Sequence, residues 1–311
     1  MRVSLRILGV FLALCLAGRA IEARAGDRVK VIASFSILDD MVKNVGGDRV
    51  AVTALVGPNG DAHVYQPTPA AAKAVGGANL VVVNGLGFEG WMDRLIRASG
   101  YKGPVVAASQ GIKTREMTLE EKEEHEHGGA RHEPKIDPHA FQDLHNGRIY
   151  VENIAKGLSA VDPAGAAIYQ ANAAAYEARL ADLDKWVKTE FTAIPKAQRR
   201  MITSHDAFGY FGAAYGITII SSMGFSTESE ASAGDIARLI QQIRQEKITA
   251  VFIENVTDPR LMQQVAKESG VTLGGELYSD ALSKPDEAAP TYIGMFKNNV
   301  TKIVAAMSQG L

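Results

Sequence analysis

Eight short runs rich in β-branched residues recur along this chain with room for a helix between most neighbours, and that alternation restricts the fold more than any other feature. The first four are VKVIASFSI from residue 29, VAVTALVG from 50, NLVVVNG from 79 and VVAAS from 105; the second four are RMITSH from 200, ITIISSMG from 217, ITAVFIE from 248 and VTLGGELYS from 271. Antiparallel neighbours can be joined by a tight turn, whereas parallel neighbours need a crossover, usually helical. The expected fold class is therefore α/β, with two parallel-sheet α/β lobes of similar plan. No residue-level internal repeat relates the two halves.

The stretch between the groups reads as one long helix. Asp162-Pro163 offers an N-cap followed by an N1 proline, and the pattern stays helical through AGAAIYQANAAAYEARLADLDKWVKTEFTAI to Pro195. Tyr176, Leu180, Leu183, Val187 and Phe191 recur at spacings of three and four, which puts them on one apolar stripe. About 30 helical residues make a rod of roughly 45 Å, long enough to run the length of two small lobes. A stiff connector implies lobes that tilt modestly; a long helix inside one lobe is the competing reading. The expected divisions are a leader over 1–25, a first lobe over 26–160, a linking backbone helix over 161–195 and a second lobe over 196–311.

The leader has a basic start, MRVSLR, an apolar run, ILGVFLALCLAG, and a small-x-small ARA ending at Ala25. That is the pattern of a signal peptide cleaved near Ala25, with an uncleaved anchor as the alternative. Cys15, the only cysteine, lies inside the apolar run after Leu14, so no lipid-attachment motif is formed. The mature chain would carry no thiol, and any metal it holds must be held by imidazole and oxygen. Removing four leader arginines and Glu22 takes the chain's net charge from −2 to −5. That sign, without a basic cluster, argues against a nucleic-acid surface.

With 46% hydrophobic residues the chain is ordinary globular protein. The exception is TLEEKEEHEHGGARHEPKID, residues 118–137, a polar segment without apolar periodicity that reads as a flexible surface loop and holds His125, His127 and His132. Of the other four histidines, His63 lies in the loop after the second run and His139 follows the fourth. His205 ends the fifth run, and Asp280 follows the eighth. Ligands of open α/β sheets bind beyond the carboxyl ends of the strands, so each lobe would offer two donors to a cleft between them. Three neutral imidazoles and a carboxylate suit Zn(II). Each donor also has a bland reading: a hydrogen-bonded core histidine at 205, a solvated one at 63, and a helix cap at Asp280. His145, in DLHNGR, reads as a helix-surface or capping residue.

The strings NGDAHVYQPTP, ANLVVVNGLGFEGWMDRL, DPHAF, SHDAFGYFGAAYGI, VFIEN and LYSDAL occur in order, and together they resemble the signature segments of the bacterial zinc/manganese solute-binding proteins of ABC transporters, the cluster A-I family. The resemblance runs through nearly all of the mature chain. It implies a periplasmic metal receptor, with a helical backbone joining two lobes, that delivers its ion to a membrane permease driven by a cytoplasmic ATPase. By position it implies His63, His139, His205 and Asp280 as the metal ligands. Zinc members usually have histidine at the third position and manganese members glutamate, so His205 favours Zn(II). The chain departs from the pattern at Gln66, where an acid is common, and at Phe141-Gln142, where tryptophan followed by an apolar residue is common.

The loop before His139 and the three-histidine, one-aspartate set look most like the AztC type, which implies a periplasmic zinc chaperone as donor. His125, His127 and His132 would capture zinc and relay it inward, or form a solvated acidic loop. Asp61, Asp137 and Glu254 are the candidates for orienting the imidazoles. A closed four-ligand shell points to a receptor and not an enzyme, since catalytic zinc keeps a position open for water. The alternatives are a manganese or iron receptor of the same family, a zinc hydrolase, and an adhesin. A monomer is the family expectation.

Overall fold

The computed structural model describes residues 28–116, 136–224, 226–228 and 231–309. The leader and His125, His127 and His132 lie outside the described residues.

All eight runs form strands, shorter than their apolar outlines. In the first lobe these are β1 (Val29–Phe35), β2 (Val50–Val56), β3 (Leu80–Val83) and β4 (Val105–Ala107), paired in parallel in the order β2-β1-β3-β4. In the second they are β5 (Arg200–Thr203), β6 (Thr218–Ser221), β7 (Ala250–Glu254) and β8 (Leu273–Leu277), parallel in the equivalent order β6-β5-β7-β8. The α/β plan of two parallel lobes is thus the observed one. In β8 the register shifts beside β7. Gly275 has φ 108°, a conformation L side chains avoid, and a side chain on Gly274 would collide with the Phe252 ring.

Helices α1 (Ser36–Gly46), α2 (Pro69–Gly76) and α3 (Met92–Ser99) belong to the first lobe; α4 (Leu144–Val161) and α5 (Ala166–Glu190) form the spine. In the second lobe are α6 (Gly209–Tyr215), α7 (Ala233–Glu246), α8 (Pro259–Ser269) and the C-terminal α9 (Tyr292–Ser308). Local chemistry fixes their starts. Thr68, Asp143, Asp258 and Thr291 each accept a backbone N–H of the first turn, and Ser232 with Asp235 makes a reciprocal capping box.

The spine helix is shorter than its sequence outline. The Asp162 carboxylate does not cap it; one oxygen takes Arg49 Nη2 at 2.7 Å and the Tyr169 hydroxyl at 2.7 Å, and Pro163–Gly165 forms a 3-10 turn instead. At the far end Phe191–Ala193 tightens to a 3-10 turn and Ile194 is extended, as expected of a residue followed by proline. The stripe reads as foreseen: Tyr176, Leu180, Leu183, Val187 and Phe191 are all buried. One large core runs from the first sheet through the spine into the second lobe, and a smaller one around Ile202, Leu239, Ile243 and Val265 fills the space under α7 and α8.

The C-terminal helix also reaches the first lobe. Asp40 on α1 accepts the Tyr292 backbone N–H at 3.0 Å and the Tyr176 hydroxyl at 3.2 Å, and the Tyr292 hydroxyl donates to the Phe141 carbonyl. Burial pushes the Asp40 carboxyl above the ordinary carboxylate range, although both donors oppose the shift. Among the described residues no helix is long and apolar enough to cross a membrane.

Candidate metal centre

The carboxyl edges of the two sheets face each other, and the strand ends deliver His63, His139, His205 and Asp280 to one point. One potential ligand atom from each lies within 4.8 Å of the other three, and all four residues are buried. His63 Nε2 stands 3.3 Å from His139 Nε2 and 3.1 Å from Asp280 Oδ2. His205 Nε2 is 3.0 Å from Asp280 Oδ2, and His139 Nε2 is 3.6 Å from Asp280 Oδ1. Metal–ligand bonds of 2.0–2.2 Å in a tetrahedron give ligand–ligand edges of about 3.3–3.6 Å. The four contacts lie close to that range, and Asp280 Oδ1, fully buried, has no hydrogen-bond partner among the described residues. A donor set of three imidazoles and one carboxylate at this spacing fits a divalent cation.

Supporting groups aim the rings. Asp137 Oδ1 accepts both the backbone N–H and the ring Nδ1 of His139, each at 2.9 Å, while its other oxygen pairs with Arg115 Nη1 at 3.1 Å. Glu254, at the end of β7, accepts the His205 backbone N–H at 2.9 Å, and its second oxygen lies 2.7 Å from His205 Nδ1. Both leave Nε2 to face the centre, the arrangement that fixes the tautomer of a metal-binding histidine. Asp61 differs from this pattern. It accepts the backbone N–H of His63 at 2.8 Å and the Thr227 hydroxyl at 2.6 Å, so it shapes the loop and ties it to the second lobe without gripping the ring.

Aromatic rings wall the first-lobe side. Phe88 packs edge-on against His63 at 4.7 Å between centroids, and Phe141 lies 6.0 Å from His139. Asn84, anchored by the Tyr150 hydroxyl at 2.6 Å, donates to the Pro138 carbonyl at 2.8 Å and so pins the residue before His139.

Without a cation the charges balance one another. Burial disfavours a charged His139 ring, but Asp280 and Asp137 outweigh it and raise its pKa to about 9. His205 is likewise raised well above the ordinary histidine range, Glu254 and Asp280 overcoming burial. The Asp280 carboxyl is held well below the usual range because the two rings overcome its own desolvation. A cation entering this centre must therefore displace protons.

His63, His139, His205 and Asp280 were read from sequence as residues beyond the carboxyl ends of strand runs, and Asp61, Asp137 and Glu254 as candidates for orienting the rings. Phe88, Arg115 and the role of Gln142 were not foreseen. Gln142, noted only as a departure in sequence, donates its amide to the Ser279 carbonyl at 2.6 Å, immediately before Asp280. The other departure, Gln66, is exposed. His145 sits exposed in the first turn of α4, as read, and Asp280 caps no helix.

The family described as ZnuA, zinc-uptake complex component A, periplasmic, matches residues 31–306. The chain belongs to this family of metal ABC-importer receptors. It is 37% identical over 284 residues to the manganese-binding lipoprotein MntA of Halalkalibacterium halodurans, covering 91% of this chain and 90% of that one. It is 34% identical over 310 residues to the iron ABC transporter substrate-binding lipoprotein MtsA of Streptococcus pyogenes serotype M1, covering 98% and 96%. The periplasmic zinc-binding protein TroA of Treponema pallidum superposes with a TM-score of 0.82 at 31% identity, covering 90% of this chain and 99% of that one. The family consists of extracytoplasmic solute-binding receptors, not enzymes, that work with a membrane permease and its ATPase. The relatives' names span manganese, iron and zinc, so membership does not by itself select the ion.

Proposed function

We propose that this protein is a zinc receptor: His63, His139, His205 and Asp280 hold Zn(II) as cargo in the interlobe cleft, and the receptor hands it to the permease. The observation that carries the choice of ion is the third imidazole. His205, backed by Glu254, makes the donor set three nitrogens to one carboxylate, which suits zinc better than the oxygen-rich surroundings manganese prefers. Release requires the lobes, or the loops carrying the donors, to move apart at the permease.

The reading extends to a freely diffusing monomer in the periplasm, exported by a leader cleaved near Ala25 and not lipid-anchored, since Cys15 lacks a lipid-attachment setting. This distinguishes it from the relatives named as lipoproteins. In that AztC-like reading a periplasmic chaperone supplies the zinc, and His125, His127 and His132 capture it on the way in.

A manganese or iron receptor is the second reading, favoured by the names of the relatives and by Asp280, whose two oxygens both face imidazoles of the centre and could bind together. Competition at equal free Zn(II) and Mn(II), with the bound metal measured after gel filtration, separates the two. Retention of zinc supports the first, and preferential retention of manganese overturns it. Deleting 118–137 in parallel tests the loop: unchanged zinc stoichiometry with slower loading supports capture and relay, whereas loss of the zinc would mean that the loop itself is the binder.

A further inference from the structure

Asp280 arrives from the second lobe, but much of what holds its loop comes from the first. The Leu282 backbone N–H donates to Ser36 Oγ at 2.9 Å, and the Leu282 carbonyl accepts the Asn59 backbone N–H at 2.9 Å. The Gln142 amide donates to the Ser279 carbonyl at 2.6 Å, and Gln142 is only 1% exposed. From its own lobe the loop receives Asn255, which accepts the Ser279 N–H at 3.3 Å and donates to the Ala281 carbonyl at 3.1 Å.

Gln142 differs from the other contacts in where it stands. It ends the single 3-10 turn Ala140–Gln142 that begins directly after His139, and its backbone N–H closes that turn on the His139 carbonyl at 3.0 Å. The turn is braced by Asn146, donating to the Ala140 carbonyl at 3.2 Å, and by the Tyr292 hydroxyl on the Phe141 carbonyl. One short, rigid turn therefore carries a histidine of the centre at one end and grips the residue preceding Asp280 at the other. On the second-lobe side the end of β7 makes the opposing link: Glu254 holds the His205 backbone, and Asn255 beside it bonds the residues on either side of Asp280.

We propose that Gln142 is the positioning residue for Asp280: its bond across the cleft ties the carboxylate to His139 and the first lobe, and its rupture is a step in releasing the metal. This rests on the reading of the four residues as ligands. When the lobes part, Gln142 and Asn255 hold the Asp280 loop from opposite sides, and Asp280 leaves His139 only once the Gln142 amide lets go.

The test compares Gln142→Met, similar in length but without a donor, and Gln142→Glu, similar in shape, with Asp280→Ala and the unaltered protein. Zinc release to a chromogenic chelator is followed by stopped flow, the visible absorption of the Co(II)-loaded protein reports the ligand set, and the unfolding temperature of each metal-free variant reports the fold. Release about tenfold faster or more, with a Co(II) spectrum shifted toward that of Asp280→Ala, is expected from whichever Gln142 variant keeps the native unfolding temperature. Native release and spectrum in such a variant, with Asp280→Ala impaired, would overturn the inference alone. Native release from Asp280→Ala would overturn the ligand reading and the inference with it.

Discussion

Glu254 holds His205 at two points, accepting its backbone N–H at 2.9 Å with one oxygen and standing 2.7 Å from ring Nδ1 with the other. Backbone and ring are thus fixed by one carboxylate that is itself 1% exposed. Glu254→Gln keeps an acceptor for the backbone N–H but removes the charge beside the ring. Zinc affinity, measured by chelator competition, is expected to fall by about 10–100-fold while the metal-free fold persists. Unchanged affinity would show that the His205 ring is oriented by packing alone.

The proton balance at the centre gives a pH signature with a definite sign. His139 binds its proton more tightly folded, at about 9, than an ordinary histidine at about 6.5 does unfolded. Its stabilising contribution is complete below the lower value and disappears as pH rises through the upper one. The metal-free protein should therefore lose thermal stability between pH 6.5 and 9, and the zinc-loaded protein should lose less. Zinc affinity should climb over the same interval as the protons become easier to displace. The buried carboxylates Asp280 and Asp137 place this interval above the ordinary histidine range. A flat metal-free melting profile across that interval would refute the assignment.

Changing the donor at position 205 should change the cargo. His205→Glu converts three nitrogens and one carboxylate to two of each, a harder set. The ratio of Mn(II) to Zn(II) retained in competition is expected to rise at least about tenfold, whereas His205→Ala should weaken both ions. Insertion of a carboxylate beside Glu254 and Asp280 also raises repulsion in the metal-free state, so the variant should melt lower without metal and recover more on loading.

Leu180, fully buried in the stripe of α5, offers a control remote from the centre. Leu180→Ala should cost about 2–5 kcal/mol of folding stability through lost burial and the cavity left behind. Zinc affinity of the folded protein at low temperature should stay within about threefold, because substitutions far apart and without shared partners act nearly independently. A large loss of affinity would mean that the spine packing sets the lobe spacing at the centre.

Much of this was legible because the grammar is local. A parallel strand announces itself by its β-branched run, and residues just past its carboxyl end face the ligand edge, so His205 after β5 and Asp280 after β8 could be found without coordinates. The start of the spine differs from its outline because tertiary partners intervene: Arg49 and Tyr169 claim the Asp162 carboxylate that would have capped it. Gln142 and Asn59 act on a loop that lies far along the chain, and a glutamine or asparagine carries no periodic pattern to advertise a distant carbonyl. Arg115, beside Asp137 and 3.8 Å from Asp206, was hidden for the same reason.

The four residues of the candidate centre are spread from residue 63 to residue 280 of a 311-residue chain, two in each lobe. A chain emerging from its N-terminus can assemble a pair of imidazoles early, but the full set exists only when the last strand of the second sheet has paired. In the proposed reading, the complete donor set therefore forms only after the second sheet is assembled, and a fragment cut anywhere before Asp280 lacks the carboxylate that would complete the cage.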